Sequence, residues 1–270
     1  MTTWCRALVT GASSGIGQAF ARRLARDGAD LVVVARRTER LERLAGELRE
    51  RHGVAVEVVT ADLTDRSALA RVEARASARA DPIDLLVNNA GAATYGPFAA
   101  LDPAQMTDEI ALNVIAVVRL TRAALPGMLS RRRGGVVNVS SVSSVSSMVV
   151  LPTLTVYSAS KSFVTVFSEG LAEEVHGTGV SVLAVCPGTT PTESGPRMGL
   201  GNARGPFLTS PDHVADVALR ALGRGKVVVV PGPVNDLLVR GSRVVPRSLL
   251  RRGMGLAARL TAPRGDASSG

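Results

Sequence analysis

Short valine- and leucine-rich runs recur along the chain, separated by longer stretches whose apolar positions repeat every three or four residues. The runs at 5–10, 31–35, 54–59, 83–88, 136–140, 180–185 and 227–230 are bounded by Gly, Pro or Asp and predict β-strands. The segments 15–28, 39–52, 66–80, 103–129, 156–176 and 211–222 predict amphipathic helices. Strands that are apolar throughout are covered on both faces, and their alternation with helices predicts a parallel sheet between two helical layers. The expected fold class is α/β, a doubly wound sheet of about seven strands. Its ligand-binding loops would lie beyond the carboxyl ends of the strands.

Composition narrows the picture. At 270 residues and 46% hydrophobic content, one domain is expected over residues 1–232, followed by a basic amphipathic tail at 233–270. The N-terminus has no charged leader or long apolar core, and no uninterrupted apolar run is long enough to cross a bilayer. Cys5 and Cys186 fit neither a disulfide framework nor a zinc spacing. They are expected as reduced thiols in core strands of a cytoplasmic protein. His52, His176 and His213 are too scattered for a metal set. The net charge of +9 is concentrated at the C-terminus, where seven arginines and no acid lie between Arg240 and Arg264. No aromatic residue interleaves them, which argues against nucleic acid. Leucines among those arginines leave two readings: a peripheral contact with an anionic membrane, or cover for the domain's own apolar surface.

The turn Thr10-Gly11-Ala12-Ser13-Ser14-Gly15-Ile16-Gly17 falls between the first strand and the first helix. Its glycines permit a tight turn and close approach of a pyrophosphate, whose charge the helix N-terminus favours. The first glycine interval is longer than in G-x-G-x-x-G. A glycine-rich turn without a ligand is the alternative, and the strand-turn-helix context favours a dinucleotide. Tyr157 and Lys161 lie four apart at the start of a predicted helix, on one face. An ammonium beside a phenol stabilises the phenolate, making the tyrosine usable as an acid or base near neutrality. Lys161 and Lys226 are the chain's two lysines against thirty arginines, so a lysine at this position is not an arbitrary choice of cation.

Gly11-x-x-x-Gly15-x-Gly17, Asn88-Asn89-Ala90-Gly91 and Tyr157-x-x-x-Lys161 together resemble the classical short-chain dehydrogenase/reductase family, over about residues 7–230. The resemblance implies a Rossmann-type domain in three layers (α/β/α), a nicotinamide cofactor, and a Ser/Tyr/Lys/Asn catalytic group. Gly11, Ser13, Ser14, Gly15, Ile16 and Gly17 would then hold the cofactor, with Asp62 and Leu63 at its adenine and Asn89, Ala90 and Gly91 alongside. Tyr157 and Lys161 would meet its nicotinamide ribose, and Pro187, Gly188, Thr190 and Thr192 its carboxamide. Ala35 stands where an acid would select NAD(H), and Arg36 and Arg37 follow. Guanidinium groups suit a 2′-phosphate, so NADP(H) is expected in preference to NAD(H), with Arg36 favoured over Arg37 as its reader. A solvated start to an arginine-rich helix remains the alternative for Arg37.

By the same resemblance Asn113 is the fourth catalytic residue, holding a water; an ordinary helix amide is its alternative. The catalytic serine is ambiguous, because Val-Ser-Ser repeats three times after the fifth strand. Counting through the strand selects Ser141, whereas counting back from Tyr157 selects Ser144. Strand register favours Ser141, since loops absorb insertions. The glycine- and proline-containing segment 193–208 reads as a substrate lid. Apolar residues at 148–151 and around Tyr95-Gly96-Pro97 point to a small hydrophobic carbonyl or alcohol as substrate. A homodimer or homotetramer through the helices carrying Asn113 and Tyr157 is implied. A cofactor-binding regulator without turnover and a membrane-surface protein of the same fold are the rival readings.

Overall fold

The computed structural model describes residues 4–142, 152–190 and 208–242. Among them are strands β1 (Arg6–Thr10), β2 (Asp30–Ala35), β3 (Val56–Thr60), β4 (Leu85–Asn88), β5 (Gly134–Val139), β6 (Val180–Val185) and β7 (Val228–Val229). They form one sheet in the order β3-β2-β1-β4-β5-β6-β7, with every neighbouring pair parallel. The helices are α1 (Gly15–Arg26), α2 (Thr38–His52), α3 (Arg66–Ala76), α4 (Pro103–Ile110), α5 (Ala116–Ser130), α6 (Thr155–Glu174), α7 (Pro211–Leu222) and α8 (Pro233–Ser242).

Alternate strand residues feed two cores. Val9, Leu31, Val33, Val87 and Leu183 pack on α1, α2 and α7, and Leu8, Val32, Leu86, Val136 and Val182 pack on α3, α5 and α6. Each such side chain contributes roughly 1.5–3 kcal/mol on burial, which is why the strands carry so few polar residues. The helices close the layers through narrow stripes, as in α2, where Leu41, Leu44, Ala45 and Leu48 are buried. Asp65 caps α3 by accepting from the Ala68 N–H, and Ser210 caps α7 in the same way from His213. The chain runs outward in both directions from the β1/β4 pair, leaving a crevice at the carboxyl ends of those two strands.

The seven-strand doubly wound sheet is the one expected, and three local features depart from the sequence reading. The helix expected over 103–129 is interrupted: Ala111–Ile115 is one turn of π-helix between α4 and α5. Such wide turns concentrate at functional positions, and this one carries Asn113. The whole stretch Pro103–Ser130 has the length and apolar content of a membrane-crossing helix. Ala116, Leu120, Ala124 and Met128 nevertheless pack into the core beneath the sheet. Cys5, expected in a core strand, is exposed. The Asp84 carboxylate takes the Cys5 and Arg6 N–H groups, so strand pairing begins after it. Cys186 is buried as expected. Finally, residues 233–242, assigned to the tail, form α8. Its Asn235 amide donates to Thr209 Oγ1 and to the Pro231 carbonyl, and Val239 is buried. The rest of the tail lies outside the described residues.

Candidate active site

The glycine turn is built as a closed knot at the head of the crevice. Gly11 and Gly15 have φ of +67° and +58°, a region that side chains rarely adopt. A Cβ at Gly17 would lie 2.4 Å from the Gly11 carbonyl oxygen. Asn89 completes the knot: its Nδ2 donates to the Thr10 carbonyl at 2.9 Å, and its backbone N–H to Thr10 Oγ1 at 2.9 Å. The Ala90 N–H also reaches Thr10 Oγ1. Asn89 and Ala90 therefore fasten β4 to β1. The expectation of a cofactor contact for Asn89 finds its amide engaged by protein backbone. α1 starts at Gly15 with no side-chain cap and no acid in its first turn. Its N-terminal N–H groups and positive dipole end suit a pyrophosphate.

At the end of β2 the two arginines separate. Arg37, the less favoured of the pair in the sequence, donates from its guanidinium to Ser13 Oγ at 3.1 Å and to Ser14 Oγ at 2.9 Å. Arg36 is 68% exposed and stands 3.5 Å from Asp62. Asp62 Oδ1 in turn accepts from the Thr64 N–H and hydroxyl. Burial pushes this carboxyl up, and the Thr64 and Arg36 contacts outweigh it, holding Asp62 below the usual carboxylate range. Leu63 is buried beside it. The group is positively charged and donor-rich, as a phosphate bound at the end of β2 requires.

The proposed catalytic side chains converge across the crevice. The Tyr157 hydroxyl is hydrogen-bonded to Ser141, the residue that strand register selected. Desolvation pushes the phenol up to about 12, against the lowering effect of that bond. Lys161 Nζ lies 5.8 Å from the centre of the Tyr157 ring and donates to the Val139 carbonyl at 2.9 Å. It is 5% exposed, and desolvation pushes it down to about 8. Ser140, beside Ser141, faces the other way, donating to the Lys161 carbonyl and meeting Thr165 Oγ1 at 2.8 Å. Ser144 lies outside the described residues, as do Thr192, the segment 193–207 of the expected lid and the apolar residues 148–151.

Asn113 is fully buried and its amide is engaged on both sides. Its Oδ1 accepts from the Ala92 N–H at 3.0 Å, and its Nδ2 donates to the Ala92 carbonyl at 2.8 Å and to Ser160 Oγ at 3.0 Å. A Cβ on Gly91 would stand 3.2 Å from Asn113 Oδ1 and 3.3 Å from Lys161 Nζ, so both groups abut Gly91. On the opposite wall the Val142 N–H donates to the Pro187 carbonyl, and Gly188 packs so closely on Asn235 that a Cβ would approach its Nδ2 to 2.4 Å. Thr190 Oγ1 donates to the Gly188 carbonyl. One residue was missed in the sequence. Glu109, one turn before Asn113, is 1% exposed and accepts from the Thr94 N–H and hydroxyl. Its signal was a carboxylate on the apolar stripe shared by Asn113, Ala116 and Leu120.

A model of the short chain dehydrogenase family matches residues 6–199. The chain belongs to the short-chain dehydrogenase family. The very-long-chain 3-oxoacyl-CoA reductase of Anas platyrhynchos is 38% identical over 185 residues, 67% of this chain and 58% of that one. The chain thus spans about three fifths of the length of such curated relatives. Among solved structures, a short-chain dehydrogenase from Sphingobium yanoikuyae in complex with NADPH matches with a TM-score of 0.78 and 34% identity, covering 98% of both chains. The bulky-bulky ketone specific alcohol dehydrogenase from Comamonas testosteroni matches with a TM-score of 0.76 and 31% identity, over 99% of this chain and 98% of that one. The glycine turn, Tyr157 and Lys161 all lie within the residues that the family model matches.

Proposed function

We propose that this short-chain dehydrogenase is an NADP(H)-dependent oxidoreductase that interconverts a hydrophobic carbonyl compound and its alcohol. The carrying observation is the Tyr157 hydroxyl paired with Ser141, with Lys161 buried beside the ring. The uncapped start of α1, the glycines of its turn and the arginines after β2 fit a phosphorylated dinucleotide. Such a cofactor supplies or accepts the hydride.

The chain's own residues do the rest. In reduction, the Ser141 hydroxyl donates a hydrogen bond to the substrate oxygen and stabilises the negative charge growing there. Tyr157 delivers its proton to the same oxygen, and the Lys161 ammonium stabilises the phenolate left behind. Asn113 holds both backbone groups of Ala92, fixing the loop after β4 beside this centre. The 3-oxoacyl and bulky-ketone substrates in the names of the relatives support a hydrophobic carbonyl as the substrate class. Ile115, Phe163 and Val166 are exposed on the helical elements that carry Asn113 and Tyr157, and we read them as the face that meets a second copy.

Cofactor choice is the test. Arg36→Ala and Arg37→Ala should each raise the NADPH dissociation constant ~10-fold or more and leave NADH within about threefold, since one charge-assisted phosphate contact is worth roughly 1.5–3 kcal/mol. Equal weakening of both cofactors by both variants, measured by fluorescence titration, would contradict the assignment.

A further inference from the structure

Glu109 has no place in the mechanism above, yet it is among the most buried charged residues described. Its Oε2 accepts from the Thr94 N–H at 2.8 Å and hydroxyl at 2.6 Å, and its Oε1 is buried with no hydrogen-bond partner among the described residues. Four residues later on the same helical face, Asn113 holds Ala92 through both of its backbone groups. Two side chains one turn apart thus grip two alternate residues of the loop after β4. In the same loop Gly91 is abutted by both Asn113 Oδ1 and Lys161 Nζ, which stand 3.2 Å and 3.3 Å from the position of its absent Cβ. A buried carboxylate with one bare oxygen costs several kcal/mol unless a cation faces it. Lys161 is the cation whose charge acts on it.

We propose that Glu109 is a positioning residue of the catalytic centre, its carboxylate serving as a buried counter-charge that helps keep Lys161 an ammonium while clamping residues 92–94. This role rests on the reading of Tyr157 and Lys161 as the proton-transfer pair. The titratable groups coupled to it are Lys161 and Tyr157 on α6, with Cys186 at the end of β6 acting on both. Burial pushes Glu109 up, while the Thr94 hydrogen bonds and Lys161 oppose the shift. Desolvation lowers Lys161 most, and the charges of Cys186 and then of Glu109 oppose it. Removing the Glu109 charge must therefore make the lysine proton easier to lose.

The chain's two lysines, Lys161 and Lys226, make this measurable without cofactor or substrate. In protein grown with isotope-labelled lysine, two side-chain NMR signals are followed against pH, and Lys226→Arg assigns them. In Glu109→Gln the Lys161 midpoint should fall by roughly half a unit or more, the scale of a neighbouring buried charge. Thr94→Val keeps the carboxylate and should leave the midpoint at its wild-type value. A purely structural Glu109 would lower melting temperature in both variants and move neither midpoint, which would overturn the proposal. If Glu109→Gln does not fold, Glu109→Asp, which draws the charge back by one methylene, should give a smaller fall, and no change would overturn it. A wild-type Lys161 midpoint below neutrality would overturn it whatever the variants do. Turnover surviving in Tyr157→Phe would instead remove the proton-transfer reading, so the two failures are distinguishable.

Discussion

Tyr157→Phe will lose at least ~100-fold in carbonyl reduction while its NADPH affinity stays within about twofold of wild type, the usual signature of a lost general acid. The ring remains packed where it is, and only the hydroxyl that meets Ser141 disappears. The phenol's high affinity for its proton in the desolvated site makes it a ready holder of a proton but a reluctant donor. The Lys161 ammonium, 5.8 Å from the centre of the ring, would offset this by favouring the phenolate as it forms. In the reducing direction both must start protonated. The rate should therefore fall on the alkaline side as the pair loses its first proton, and the lysine, pushed down to about 8, is the easier of the two to deprotonate. The check is steady-state NADPH oxidation alongside cofactor titration; more than about a tenth of wild-type activity in the variant would remove Tyr157 from the mechanism.

The other large effect is expected at Gly17→Ala. A methyl group there would stand 2.4 Å from the Gly11 carbonyl oxygen and 2.5 Å from Asn89 Nδ2. Backbone is the obstacle, so no rotamer change relieves the clash. The turn must open, costing roughly 1–3 kcal/mol of stability as overpacking does. Cofactor affinity should drop ~10-fold or more, because the same movement displaces the start of α1 and the Asn89 tether. Gly46→Ala is the control. It lies inside α2 with nothing within 4 Å of the added carbon, and it should stabilise by roughly 0.5–1 kcal/mol. Thermal melts with and without NADPH separate the two; a Gly17→Ala protein that melts and binds like wild type would contradict the tight-turn account.

The sheet was legible because burial on both faces writes itself into consecutive Val and Leu residues, as in Leu31 to Val34, and the helices because one stripe must be apolar, as in α2. Helical spacing puts Tyr157 and Lys161 on one face, and the resemblance to the dehydrogenase family singled the pair out. What the spacing could not supply is contact across the crevice. That Ser141 meets Tyr157 depends on where β5 ends, and a threefold repeat leaves that register ambiguous on paper. Arg36 and Arg37 are adjacent in sequence, and backbone direction at the end of β2 decides which of them turns toward Ser13 and Ser14. The π turn at Ala111–Ile115 has no compositional mark, since Ala-Leu-Asn-Val-Ile suits an α-helix as well. Glu109 was visible only as a carboxylate on an apolar stripe, and its meaning came from Thr94, fifteen residues away.

The central claim is that this dehydrogenase moves a hydride from NADPH to a hydrophobic carbonyl, with Tyr157 supplying the proton. One measurement bears on it most directly: the stoichiometry of NADPH consumed and alcohol formed when the wild-type chain meets a panel of aryl, bulky aliphatic and 3-oxoacyl thioester ketones. Equal amounts of oxidised cofactor and secondary alcohol with at least one of these substrates are the expected result, with NADPH preferred over NADH. Tight NADPH binding with no cofactor consumption across the whole panel would contradict the account and leave a nucleotide-binding protein without turnover.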